Sequence, residues 1–145
     1  MTKSNLKMKE NKYLFKIVLS VVILNKDKKV LLAKRSIKED VLPGYWGIPG
    51  GKVESKGNIQ DILEKEIKRE VLEEVGIEIK NIKYFESHLN ESEKVNICFS
   101  AEIDKGIPSP LDETEEVNWF SLEESKKLKL TPHTFERIEM VINAS

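Results

Sequence analysis

The segment "DILEKEIKREVLEEVG", Asp61 to Gly76, decides how this chain is read. Leu63, Ile67, Val71 and Val75 recur at every fourth position, which gives a helix one apolar stripe. Asp61, or Asn58 before it, is placed to cap the start, and Gly76 to close the end. At about 100° per residue, Glu66, Glu70, Glu73 and Glu74 share the sector beside the stripe. Arg69 lies four residues before Glu73 and can pair with it. Two effects oppose this acidic face. Carboxylates three and four residues apart repel each other. Those near Gly76 also meet the negative end of the helix dipole. Two readings fit the pattern. One is a solvated charged face, at a cost of about 0.2–0.5 kcal/mol per like-charge pair. The other is a site where a hard divalent cation such as Mg²⁺, taking oxygen ligands, removes the repulsion.

Outward from this helix the chain alternates apolar runs and turns. Residues 14–24, with "IVLSVVIL" at Ile17 to Leu24, read as a buried strand. "NKDKK" is a polar turn, and "VLLAKR" (Val30 to Arg35) the partner strand of a hairpin. "SIKEDVLPGY" is a loop. "WGIPGGKVE" is a Gly/Pro-punctuated turn ending in a short extended piece. Its glycines leave backbone groups free to approach a ligand or metal. On the far side, "IEIKNIKYFESHL" and "KVNICFSAEI" read as two strands, "PSPLDETEE" as an acidic loop and "VNWF" as a short strand. His88 is expected in a loop near the site. Ser121 and Glu124 form a capping box. Pro132 is expected at the first position of the last helix, after Thr131, with His133 structural in its first turn. Strands before and after a central helix, with more helices at the end, predict a mixed sheet with helices packed on it.

A length of 145 residues suits one domain, residues 1–145, with 1–12 a loose polar tail. With 39% hydrophobic and 34% charged residues the chain is too apolar for disorder. A net charge of −1 gives no field directed at nucleic acid or an anionic membrane. Ile17–Leu24 is too short to span a bilayer, and no small-residue cleavage site follows it. Cys98 is alone, which excludes a disulfide framework and a cysteine metal cage; its apolar neighbours predict a buried strand thiol. These features predict a cytoplasmic protein without a nucleic-acid or membrane partner.

The stretch "GG…REVLEEVGI" resembles the signature of the Nudix hydrolase family. That signature runs Gly, five residues, Glu, seven residues, Arg-Glu, an aliphatic, any residue, Glu-Glu, any residue, Gly, an aliphatic. Arg69, Glu70, Val71, Glu73, Glu74, Gly76 and Ile77 match its second half without a gap. "LLAKR", "WGIPGG" and "EEVNWFSLEE" are similar to the family's flanks, so the resemblance covers roughly residues 14–142. One departure stands out. The interval from Gly51 to Arg69 is four residues longer than in the signature, and Asp61 stands where the signature has its first Glu.

The resemblance implies an α/β/α sandwich with a mixed β-sheet and a catalytic loop-helix-loop. It implies Mg²⁺- or Mn²⁺-dependent hydrolysis of a nucleoside diphosphate linked to another moiety. The default is a MutT-like enzyme acting on a nucleoside triphosphate or nucleotide sugar. Glu70, Glu73 and Glu74 would bind the metal, with the Gly50 carbonyl as a further ligand, and Arg69 would orient a helix carboxylate. A loop glutamate would serve as general base, Glu113 ahead of Glu116, with Glu73 and Glu74 as competitors. Arg35 and Lys52 are candidates to touch phosphate and Trp46 to stack a base; surface charge and core packing are the plain alternatives. Family members that pair through strands leave a homodimer open. The rival to an enzyme is a Nudix-shaped module that senses a nucleotide without turning it over.

Overall fold

A computed structural model describes residues 13–145; the tail expected at residues 1–12 lies outside the described residues. The apolar run at the start forms β1 (Lys16–Leu24), which lies parallel to β6 (Lys94–Lys105) along its whole length. β6 in turn pairs antiparallel with β5 (Glu78–Leu89). The other edge of β1 is divided. Val18, Leu19 and Ser20 pair with β4 (Gly50–Lys52), while Leu24 pairs with Val30 at the start of β2 (Val30–Arg35). β2 then diverges to pair with β3 (Trp46–Gly47) and β7 (Thr114–Phe120). The expected hairpin of β1 and β2 therefore exists only at its turn, because β4 takes the rest of that edge. Gly50 permits this: a Cβ there would run into the Leu19 carbonyl.

Side chains alternate across a strand, and β1 uses both faces. Leu19, Val21 and Ile23 meet Ile67, Val71 and Val75 of α1 (Ile62–Val75) on one side. Val22 and Leu24 meet Trp46, Ile138 and Val141 on the other, under α3 (Thr134–Ala144). A one-turn α2 (Leu122–Ser125) precedes α3. Helix, mixed sheet and helix thus form the expected three layers. Each fully buried aliphatic side chain in them contributes about 1.5–3 kcal/mol, which fixes α1 rigidly over the sheet. No helix among the described residues is long and apolar enough to cross a membrane.

Helix ends match the expectation where the chemistry is local. Gly76 adopts φ 71° and its N–H bonds to the Leu72 carbonyl at 3.1 Å, closing α1. Ser121 and Glu124 form both bonds of the capping box. Two starts differ. Asp61 precedes α1 in the left-handed region with no side-chain capping bond. α3 begins at Thr134 after a left-handed His133 (φ 66°), so Pro132 sits in the preceding turn rather than in the helix. That turn is closed by the Thr134 N–H on the Thr131 carbonyl and by a bond between their hydroxyls. β7 begins at Thr114, earlier than "VNWF", because it follows β2 as far as Arg35. β5 runs to Leu89, so His88 is a strand residue opposite Asn96 rather than a loop residue.

Candidate active site

With α1 clamped by its apolar stripe, its acidic sector faces β4. Arg69 lies at the centre of that sector. Its Nη2 donates to Glu66 Oε2 at 2.7 Å and to Glu70 Oε1 at 3.0 Å, and its Nη1 donates to Glu73 Oε2 at 2.8 Å. Glu66 also accepts from the Ser55 hydroxyl. The Arg69 guanidinium, then the Ser55 hydroxyl, hold the Glu66 carboxyl below its ordinary range despite burial. Arg69 itself is held more firmly protonated, first by Glu66 and then by Glu73.

Glu70 and Glu74 shift the other way. Burial raises Glu70, opposed by Arg69. Burial pushes Glu74 up to about 8, offset in part by its bond from the Gly50 N–H at 3.2 Å. Gly51 is equally constrained: a Cβ there would lie 2.5 Å from the Glu70 carboxyl carbon. One glycine of the pair thus lets β4 join β1, and the next leaves room for Glu70.

A cavity of about 600 Å³ opens between β2, which diverges from β1, and β4, which stays paired with it. Its lining includes Gly50, Gly51 and Lys52 of β4, Glu74 of α1, Arg35 and Glu39 at and after the end of β2, and Asp112 and Glu113 before β7. Asn90, Asn96, Thr131 and Arg137 line a further, polar part. The loop carrying Glu113 is tied to the end of α1: the Ser109 and Leu111 amides donate to the Val75 and Glu74 carbonyls, each at 3.0 Å. Glu113 is exposed, and a hydrogen bond with Glu39 raises its carboxyl above the ordinary value.

Most of the expected residues lie around this space: Glu74, Gly50, Lys52, Arg35 and Glu113 line it, and Glu70 stands directly behind Gly51. Glu73 is 53% exposed on the same helix face. Glu116 pairs with Lys34 across β2 and β7 and does not line the cavity. Arg35 is partly engaged, its Nε donating to the Val41 carbonyl at 2.9 Å. For Trp46 the packing supports the core alternative over base stacking. Trp46 is 8% exposed, packs edge-on against Phe120 at 5.1 Å between ring centroids, and belongs to the core beneath α3 rather than to the cavity lining. Cys98 is buried and its thiol is pushed up to about 11 by burial, which leaves it protonated and unreactive.

Glu66 is the residue whose part sequence reasoning missed. Its spacing of three from Arg69 is a legible pairing signal, but nothing local marks it as buried. Asn96 and Arg137 also escaped notice, since only the sheet topology brings them to the cavity.

The NUDIX domain family profile matches residues 14–141, and the chain belongs to the Nudix hydrolase family. It is similar to the NAD-capped RNA hydrolase NudC of Vibrio cholerae, 32% identical over 105 residues that cover 71% of this chain and 36% of that protein. It therefore spans about a third of that relative's length. The MutT NUDIX hydrolase of Burkholderia pseudomallei superposes with a TM-score of 0.72 at 27% identity, over 88% of this chain and 98% of that one. The NUDIX domain of Shewanella oneidensis NrtR, solved with ADP ribose, gives a TM-score of 0.76 at 20% identity over 99% of each chain, a likeness of fold.

Nudix hydrolases use divalent metal ions, and the donor set here suits one. Glu70, Glu73 and Glu74 offer only oxygen ligands, as hard cations require. The absent side chain of Gly51 leaves the space that the Glu70 carboxylate occupies. Among the described residues no ready-made cage of His, Cys, Asp or Glu is assembled; Arg69 bonds Glu70 and Glu73, and the Gly50 amide bonds Glu74.

Proposed function

We propose that the chain hydrolyses the diphosphate linkage of a nucleoside diphosphate joined to a second group, with Mg²⁺ or Mn²⁺ as cofactor. One observation carries this reading: Glu74 bonds the Gly50 amide at the wall of a polar cavity, Glu70 packs against Gly51 beside it, and Arg69 joins Glu70 to Glu73 on the same helix. Glu70, Glu73, Glu74 and the Gly50 carbonyl would hold the ion, which when bound offsets charge on the diphosphate oxygens and acidifies a water. Arg69 orients Glu70 and Glu73. Arg35 and Lys52, both lining the cavity, would hold phosphate oxygens by charge-assisted hydrogen bonds. Glu113 takes the proton of the attacking water; the amides of its loop, bonded to the end of α1, keep it near the metal-binding face. Asn90, Asn96 and Arg137 face the second group or the nucleoside. A volume of about 600 Å³ accommodates a ligand of nucleotide size.

The test is a substrate panel of nucleoside triphosphates, nucleotide sugars, ADP-ribose and NAD, incubated with Mg²⁺ or Mn²⁺ and resolved by chromatography. Release of a nucleoside monophosphate is expected, abolished by EDTA and by Glu73→Gln at unchanged Tm. Calorimetric binding of a nucleotide without turnover under either metal would overturn the enzyme reading in favour of a sensing module.

A further inference from the structure

We infer that Glu66, backed by Ser55, is a positioning residue that anchors Arg69 and shares its charge with Glu70 and Glu73, and so sets how readily those carboxylates accept a divalent cation. The inference rests on the function proposed above. Glu66 is 3% exposed. A carboxylate so buried is strongly unfavourable unless both oxygens are satisfied. They are, one by Arg69 and the other by Ser55. Arg69 therefore bridges three carboxylates, and its shortest bond, 2.7 Å, goes to the most buried of them. Ion pairs strengthen as water is excluded, so Glu66 competes for the guanidinium better than Glu73, which is 53% exposed. Arg69 bonds one oxygen of Glu70 and one of Glu73, which leaves the other oxygen of each to a cation. The cation then shares those carboxylates with the guanidinium. With Glu66 in place, part of the guanidinium charge is met by a third carboxylate. Without it, Glu70 and Glu73 alone neutralise Arg69 and have less charge to offer the cation. The local chain length explains the arrangement. Asp61, at the signature's first Glu position, is exposed and makes no capping bond. The segment between Gly51 and Asp61, four residues longer than the signature's, instead carries Ser55 to Glu66.

Three variants test this: Glu66→Leu, which fills the volume without charge, Glu66→Gln, and Ser55→Ala. Mn²⁺ binding is measured by isothermal titration calorimetry without nucleotide, alongside Tm and the Mg²⁺ dependence of turnover. The Mn²⁺ dissociation constant is expected to rise about 10-fold in Glu66→Leu, the scale seen when a partner of a metal ligand is lost. Glu66→Gln and Ser55→Ala should shift it less, in the same direction. The Mg²⁺ concentration for half-maximal turnover should move in parallel, with kcat retained at saturating Mg²⁺. A lowered Tm with an unmoved Mn²⁺ constant would assign Glu66 a purely structural part and overturn the inference. If Glu66→Leu does not fold, the other two variants decide by the same criterion. Wild-type protein that takes up no Mn²⁺ would defeat the proposed function itself, whereas wild-type binding with unshifted variants defeats only the role of Glu66.

Discussion

Glu74 makes the stability of the ion-free protein depend on pH in a direction opposite to that of most carboxylates. Its carboxyl sits at about 8 in the folded chain against an ordinary 4.5, chiefly through burial. The folded state thus binds a proton that the unfolded state has released. Stability from this group is fully present below pH 4.5 and is lost as pH rises toward 8. Inside that window one proton is worth about 1.4 kcal/mol per pH unit. Between pH 6 and 8 the loss is about 2 kcal/mol, allowing for half-ionisation at the upper end, or roughly 5–8 °C in Tm for a chain of this size. Glu74→Gln keeps an oxygen for the Gly50 amide but cannot ionise. The assay is Tm by circular dichroism in EDTA at pH 6, 7 and 8, for wild type and Glu74→Gln; the difference between the two curves cancels every other titrating group. Wild type should lose stability relative to the variant as pH rises. Millimolar Mg²⁺ should restore wild type, by about 2.7 kcal/mol at a hundredfold excess over its dissociation constant, and leave the variant nearly unmoved. A flat difference in EDTA would refute a buried, proton-holding Glu74. A variant stabilised by Mg²⁺ as much as wild type would refute its part in metal binding.

The two glycines of β4 should fail differently. Gly51→Ala pushes only the mobile end of Glu70, so Tm should change by less than about 1 kcal/mol equivalent while turnover falls by on the order of 100-fold. Gly50→Ala meets the rigid Leu19 carbonyl, and denaturant unfolding should show a loss of about 2 kcal/mol or more. Trp46→Ala should cost about 3–5 kcal/mol, and Trp46→Phe should lower Tm with KM unchanged, as a core residue requires. Glu113→Gln should lower kcat by about 10²–10⁴-fold without altering calorimetric Mn²⁺ affinity; an unaltered kcat would remove Glu113 as the base.

What was legible in the sequence follows the range of the interactions involved. The stripe of Ile67, Val71 and Val75, the Gly76 terminator and the Ser121–Glu124 box are set by neighbours within four residues, and all are present as expected. Trp46 illustrates the limit: an indole beside a glycine-rich turn looks the same whether it faces Phe120 or a ligand. Pro132 lies outside α3 because a left-handed His133 and the Thr131–Thr134 turn give the chain another way into that helix. The edge of β1 goes to β4 beyond the hairpin turn through a close approach at Gly50 that no periodicity records. Glu66 needed both kinds of information, a local spacing to Arg69 and a distant hydroxyl on Ser55.

The choice between a solvated acidic face and a cation site turns on burial. A solvated face would leave its carboxylates in water, as Glu73 is, but Glu66 and Glu70 are only 3% and 15% exposed. Desolvating a carboxylate costs several kcal/mol, far above the few tenths that an exposed like-charge pair costs. The chain meets part of that cost itself. Arg69 pairs with three carboxylates, Glu74 retains its proton near neutral pH, and the Ser109 and Leu111 amides satisfy carbonyls at the negative end of α1. What is left is a balance of charge. Glu66, Glu70 and Glu73 carry three negative charges and Arg69 one positive, which leaves two uncompensated. One divalent cation would match that excess, and on the proposed reading its approach would favour release of the Glu74 proton and add a further ligand oxygen. The residues that let the fold tolerate the acidic helix end therefore also leave it short of the charge that one hard divalent cation supplies.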